Sequence, residues 1–221
     1  MKFIGITGGV GAGKSAVLDY LATKPGVRVM LADEIAHELM EPGTDCYEQI
    51  RQAFPEHDIY KEDGHFDRIK LAKVIFSDEN KRVRMNGIVH PAVKAYVIAE
   101  AKRERQEGKL ALLVLEAALL IEEHYDEICD ELWYIYTREE IREARLMESR
   151  GYSREKVQQI FSSQLKEAEY RKHCSVVIDN NEGQSPEPPS DLLPAAYLLS
   201  VSLLLCRSHP LLSRSKVRRA P

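Results

Sequence analysis

Gly8, Gly9, Val10, Gly11, Ala12, Gly13, Lys14 and Ser15 match G-x-x-x-x-G-K-S/T in full. They stand between a short apolar run at residues 2–7 and a stretch at 15–23 in which Val17, Leu18 and Leu21 have helical spacing. An accidental match in a chain of this length has a probability on the order of 1%. Strand, glycine-rich turn and helix is also the order that the motif's physics requires. Glycines let successive backbone N–H groups turn inward onto an anion, and the helix N-terminus adds partial positive charge. The sequence therefore predicts a phosphate-binding loop in which Lys14 reaches the β and γ phosphates of a nucleotide and Ser15 holds Mg²⁺. The competing reading is an ordinary glycine-rich turn capped by Ser15.

The rest of the chain is read around that loop. Pro25-Gly26 ends the first helix, residues 27–31 form a second strand, and residues 34–40 form a helix stopped by Pro42-Gly43. Residues 46–106 hold helical stretches at 47–53, 68–76, 80–88 and 92–107 with no convincing strand, which predicts a helical lobe. Residues 110–115 are apolar at nearly every position, as a parallel strand covered on both faces is, and 131–136 repeat that character. A charged helix at 137–150, a second at 153–172 and a last short strand at 175–178 follow. Strands alternating with helices predict an α/β fold with a parallel sheet and right-handed crossovers. Residues 180–189 have a linker composition, and no internal repeat is visible.

Composition excludes several classes. The 221 residues are 44% hydrophobic and 30% charged, which rules out a disordered, collagen-like or coiled-coil chain. A net charge of -4 provides no global basic field for nucleic acid or an anionic membrane. Cys46, Cys129, Cys174 and Cys206 form no C-x-x-C pair, so neither a zinc site nor a disulfide framework is expected and a reducing cytoplasm fits. The uncharged run at 192–206 falls short of the roughly 20 residues that a membrane helix needs and reads as a buried helix. The first residues are read as the start of the fold rather than a leader, because glycines and Lys14 interrupt their apolar character.

Ligands of open α/β sheets bind at the carboxyl ends of the strands, which directs attention to Asp33 after the second strand and Glu116 after residues 110–115. A carboxylate so placed accepts the proton of an attacking hydroxyl or holds a metal through water. Against this, Asp33 is also a good N-cap for the helix at 34–40, and Glu116 reads equally as a solvated loop carboxylate. Arg138, Arg142 and Arg145 fall on one helix face and suit a phosphate clamp. Glu139, Glu140, Glu143 and Glu148 favour instead a solvated helix laced by ion pairs. His90-Pro91 reads as a lone histidine at a helix-breaking step.

Taken together, Ile4-Gly5-Ile6-Thr7 leading into the loop, Ala32-Asp33, Glu41-Pro42-Gly43-Thr44, His90-Pro91, Leu119-Leu120-Ile121-Glu122, residues 145–151, Gln164 and Val177-Ile178-Asp179-Asn180-Asn181 resemble bacterial dephospho-CoA kinases. The resemblance covers residues 1–183 and implies an α/β, P-loop NTPase three-layer fold with a parallel β-sheet. A kinase core at 1–45 and 108–183, an inserted helical substrate lobe at 46–107, a helical lid at about 138–152 and an atypical tail at 184–221 follow from it. It implies transfer of the ATP γ-phosphoryl group to the ribose 3′-hydroxyl of dephospho-CoA, the last step of coenzyme A biosynthesis, in the cytoplasm and with neither nucleic acid nor membrane as partner. Carried over, Gly9, Val10, Gly11, Ala12, Gly13, Lys14, Ser15, Ala16 and Asn180 bind ATP. Asp33, Lys14 and Arg145 are catalytic, Asp33 as the base, and Asp33 and His90 meet the substrate. Ser15 holds Mg²⁺, with Glu116 through water.

The chain departs from the pattern in three places. Leu31 stands where the family commonly has a first acid, so any role shared by two acids falls on Asp33. Ala117-Ala118 stand where proline is frequent. After Gly183 the charged amphipathic helix usual in the family is replaced by a proline-rich run and the leucine-rich segment at 192–206. That segment predicts a short helix after Pro194, and Arg207, Arg214, Lys216, Arg218 and Arg219 predict a disordered basic end. The alternatives are another P-loop kinase of a nucleoside or small hydroxyl substrate, a GTPase-type switch and an inert structural protein. The switch should show N-K-x-D and D-x-x-G, and neither is found.

Overall fold

A computed structural model describes residues 1–55 and 57–181 together with the backbone of 218–219. The chain divides into two compact units, residues 1–30 with 104–221 and residues 31–103.

The first unit is built on strands β1 (Lys2–Thr7), β2 (Val27–Leu31), β3 (Leu112–Glu116), β4 (Glu131–Tyr136) and β5 (Val176–Asp179), in the sheet order β2-β3-β1-β4-β5. β1 pairs in parallel with β3 on one side and β4 on the other, and β4 pairs in parallel with β5. Phe3, Ile4 and Ile6 of β1, Leu112, Leu113, Val114 and Leu115 of β3, and Leu132, Trp133, Tyr134 and Ile135 of β4 are all buried. That continuous burial is why these strands read as unbroken apolar runs rather than as alternating ones. β1 is the position at which the chain changes direction across the sheet, since β2 and β3 lie to one side and β4 and β5 to the other. Because these pairings are parallel, the carboxyl ends of β1, β3, β4 and β5 share one edge. Gly8, Glu116, Thr137 and Asn180 emerge there.

Helix α1 (Lys14–Ala22) follows the loop and buries Val17, Leu18 and Leu21. Helices α6 (Glu139–Arg150), α7 (Arg154–Ser162) and α8 (Glu167–His173) come after β4. Residues 153–172 were expected as one helix, and the structure breaks it. The Ser162 and Ser163 hydroxyls donate to the carbonyls of Gln159 and Ile160, and the Ser163 and Gln164 N–H groups reach back only three residues. Serine side chains thereby compete with the helical ladder without glycine or proline marking the stop.

The expected helix after Pro194 lies outside the described residues. Arg218–Arg219, expected to be disordered, form a two-residue strand β6 antiparallel to β5. Without β6, β5 would be an edge strand whose free N–H and C=O groups accept such a partner whatever its side chains.

The second unit carries α2 (Ala32–Leu39), α3 (Asp45–Ala53), α4 (Arg68–Phe76) and most of α5 (Glu79–Glu107). Its core gathers Cys46, Tyr47, Ile50, Phe54, Ile59, Phe66, Leu71 and Met85. The Thr44 hydroxyl accepts from the Tyr47 N–H at 3.1 Å and caps α3, and Asp67 accepts from Ile69 and Lys70 at 3.1 Å each and caps α4. Loss of such a cap costs about 1 kcal/mol, so Thr44→Ala is expected to lower unfolding free energy in urea by about that amount.

α5 runs through Pro91 without ending, where the sequence suggested two helices. Proline removes one N–H and crowds the carbonyl four residues earlier, which here belongs to Gly87. Among the described residues nothing stands within 4 Å of where a Gly87 Cβ would be, so that turn has room to open and the helix continues.

Candidate active site

The loop after β1 is shaped by backbone that only glycine adopts freely. Gly11 and Gly13 have φ of 83° and 88°, and Gly13 is the N-cap of α1 in the left-handed region. Space is as restrictive as torsion. A Cβ on Gly9 would stand 2.3 Å from the Arg142 guanidinium, and one on Gly13 would stand 2.2 Å from Asn180 Nδ2. Gly13→Ala is therefore expected to cost about 1–3 kcal/mol of stability in thermal or urea unfolding, from strain at φ above zero together with displacement of Asn180.

Gly13 is the N-cap of α1, no side chain among the described residues caps it and its first turn holds no acid, so the helix is not capped by Ser15. The first-turn amides are left for an anion. Ser15 and Ala16 are exposed beside them.

Lys14 bends back so that Nζ donates to the Gly8 carbonyl at 2.9 Å and stands 3.6 Å from Oε1 of Glu116. Burial pushes its ammonium below the ordinary lysine value, and the Glu116 carboxylate pushes the other way. Glu116 is the last residue of β3 and largely buried, which sets it apart from the solvated loop carboxylate considered as an alternative.

Two further strand ends brace the loop. Asn180 is buried and its Nδ2 donates to the Ala12 carbonyl at 2.8 Å. The Thr137 hydroxyl lies 3.0 Å from the same carbonyl and 3.2 Å from the Asn180 carbonyl. Arg145 on α6 spans both, with Nη2 donating to the Asn180 carbonyl at 3.1 Å and Nη1 to the Gly11 carbonyl at 3.4 Å. Arg138 points elsewhere in function: it is the N-cap residue of α6, and its backbone N–H donates to Asn181 Oδ1 at 2.8 Å.

The structure thus brings Gly9, Gly11, Ala12, Gly13, Lys14, Glu116, Arg145 and Asn180 to one place in the first unit. Val10 belongs to the same loop, with its N–H on Gln164 Oε1 at 3.3 Å. Arg142 and Gln164, to which the sequence assigned no individual role, touch this loop directly, and the i, i+4, i+7 spacing of the arginines was the available signal for the first.

Asp33 and His90 belong to the second unit. Asp33 is exposed in the first turn of α2, whose N-cap is Leu31, so it is not the cap that the sequence allowed it to be. The helix begins earlier than expected, and the carboxylate gains from the helix dipole instead. His90 is half-buried within α5.

The residues fit a nucleoside triphosphate with a divalent cation. An uncapped helix start, a loop narrowed to glycine and a partly desolvated ammonium stand together there. No cluster of three or more His, Cys, Asp or Glu suited to hold a metal alone exists among the described residues.

The dephospho-CoA kinase family model (CoaE) matches residues 2–186. A dephospho-CoA kinase of Shouchella clausii (strain KSM-K16) is 36% identical over 178 residues, covering 80% of this chain and 89% of that one. One of Geobacter sulfurreducens (strain ATCC 51573 / DSM 12127 / PCA) is 37% identical over 181 residues, covering 82% and 90%. Among solved structures, TT1252 from Thermus thermophilus superimposes with a TM-score of 0.65 at 28% identity, covering 92% of this chain and 96% of that one. The dephospho-CoA kinase from Campylobacter jejuni gives 0.64 at 21% identity, covering 93% and 96%, and attests to the fold. The α/β fold with a parallel sheet that the alternating strands and helices predict is the one formed, as is the kinase fold that the resemblance implies, and the chain belongs to the dephospho-CoA kinase family.

Proposed function

We propose that this protein transfers the γ-phosphoryl group of ATP to the ribose 3′-hydroxyl of dephospho-CoA, giving coenzyme A and ADP. The observation that carries the reading is the uncapped start of α1 with Lys14 folded over the loop beside Glu116, in a chain of this family.

Backbone N–H groups of Gly11, Gly13, Lys14 and Ser15 hold the phosphates of ATP, with Ala12 turning the loop between them through its N–H on the Gly9 carbonyl at 3.1 Å, and Lys14 exchanges its bond to the Gly8 carbonyl for the β and γ oxygens. The Ser15 hydroxyl would hold Mg²⁺, with Glu116 reaching it through water. When bound, the pair supplies the phosphoryl group and neutralises charge on it. Asp33 accepts the proton of the 3′-hydroxyl as that oxygen forms its bond to γ phosphorus and the bond from phosphorus to the β–γ bridging oxygen breaks. ADP leaves with that electron pair. Leu31 cannot share the proton, so the load rests on Asp33 alone. Arg145, held across the Gly11 and Asn180 carbonyls, lies close enough to the loop to balance charge on the transferring group. Asn180 borders the adenine and His90 contacts the CoA-type substrate.

The free thiols Cys46, Cys129 and Cys174 are all buried, which suits a reducing cytoplasm. No helix among the described residues is long and apolar enough to cross a membrane.

The test is ADP release with purified protein, Mg²⁺ and ATP, with and without dephospho-CoA. Turnover that depends on dephospho-CoA and yields coenzyme A is expected. Turnover driven instead by a nucleoside from a panel, with none from dephospho-CoA, would overturn the reading.

A further inference from the structure

Val10 sits inside the phosphate loop, yet both of its backbone polar groups are committed elsewhere. Its N–H donates to Oε1 of Gln164 at 3.3 Å, and its carbonyl accepts from Nε of Arg142 at 2.9 Å. The two side chains are joined in turn, because Arg142 Nη2 donates to the same Gln164 oxygen at 2.5 Å. One loop residue is thereby gripped on both sides by a helix and by the segment that follows α7. Its side chain is seated as well, packed on Leu146, Val157 and Phe161 between α6 and α7.

Arg142 is an unusual residue to spend on this. It is only 8% exposed, its guanidinium lies 4.2 Å from the centre of the Phe161 ring, and the described residues give it no carboxylate partner. The Glu139 carboxylate acts on it only from beyond ion-pair distance, and a cation buried without a contacting counter-charge costs stability. What it gains here is geometry: the planar fork presents Nε to one acceptor and Nη2 to another in a fixed relation that lysine cannot reproduce. The guanidinium also occupies the space that a Cβ on Gly9 would need, so it sets the path of the loop one residue before Val10. Arg142, Phe161 and Gln164 also line a cavity of about 340 Å³ that Tyr134 and Tyr170 share.

We propose that Arg142 and Gln164 are positioning residues that act as one clamp on Val10, holding the first half of the loop so that the following amides and Lys14 meet the nucleotide phosphates. The inference rests on the ATP reading given above. It makes Val10 an anchor of the loop rather than a phosphate donor, and it makes nucleotide affinity depend on the α6–α7 hairpin without any contact between Gln164 and nucleotide.

The experiment compares wild type, Gln164→Ala, Gln164→Glu, Arg142→Lys and the Arg142→Lys/Gln164→Ala pair. It reads calorimetric binding of a non-hydrolysable ATP analogue, KM for each substrate, kcat and Tm. Gln164→Ala is expected to weaken analogue binding and raise KM for ATP about tenfold, with KM for dephospho-CoA unchanged. Gln164→Glu keeps the acceptor and is expected to stay within about threefold of wild type. The double variant is expected to lose about what one single variant loses, since residues acting as a unit are not additive.

Unchanged analogue affinity in Gln164→Ala would overturn the clamp. So would a fall in kcat and Tm with both KM values kept, because that is what lost packing alone produces. Independent, multiplying losses in the double variant would overturn the claim of one unit. A wild-type protein that does not bind the analogue would instead overturn the nucleotide reading, and the clamp with it.

Discussion

Lys14→Ala is expected to lower phosphoryl transfer by about 10³-fold or more while the protein stays folded. The size follows from where the ammonium stands. It is held by the Gly8 carbonyl at 2.9 Å and by Glu116 at 3.6 Å, in a site dry enough that burial already pulls its proton affinity down. A charge in such surroundings interacts with a phosphoryl group far more strongly than one in water. Its two present partners together provide less than a triphosphate would, so the ligand displaces them at small cost. In the apo protein the variant loses a partly desolvated charge and one hydrogen bond to a carbonyl. Those losses oppose each other in stability. Circular dichroism and Tm close to wild type, with kcat reduced by three orders of magnitude, are the expected pair of results. Activity within tenfold of wild type would remove the loop from the mechanism.

The core of this arrangement is legible in the sequence because it is written in local terms. The apolar runs of β1 and β4 and the helix Arg68–Phe76 have the bounds that pattern alone suggests. The loop's glycines likewise announce their torsions. What escapes is decided between segments far apart in the chain. Nothing local tells which of three aligned arginines turns inward. Arg142 does so because Phe161, Gln164 and the Val10 carbonyl, 19 to 132 residues away, surround it. Arg145 meets the loop edge-on for the same kind of reason, and Arg138 serves through its backbone. The break between α7 and α8 is hidden because serines stop that helix through side-chain hydrogen bonds rather than through glycine or proline. Pro91 misleads in the opposite direction, since the residue that tolerates it, Gly87, lies a full turn earlier.

Asp33→Asn is expected to lower kcat by about 10² to 10⁴-fold, with affinity for an ATP analogue and Tm nearly kept. The structure separates this outcome from the competing role. As the cap of α2, Asp33 would lose about 1 kcal/mol of stability on replacement by a residue unable to accept from the helix, and asparagine would conserve most of it. But Leu31 is the N-cap, and Asp33 is exposed in the first turn, where only its charge interacts with the helix dipole. Asparagine keeps shape and polarity and removes that charge, costing a few tenths of a kcal/mol at an exposed site. Any large effect must then come from chemistry. With Leu31 in place of a second acid, no neighbouring carboxylate at that position is available to take the proton, so the loss should lie toward the upper part of the range. The decisive readout is kcat set beside analogue affinity and Tm: kcat should fall alone. A variant with kcat intact, or one that loses analogue affinity in step with activity, would place Asp33 with the nucleotide's metal shell or outside the mechanism.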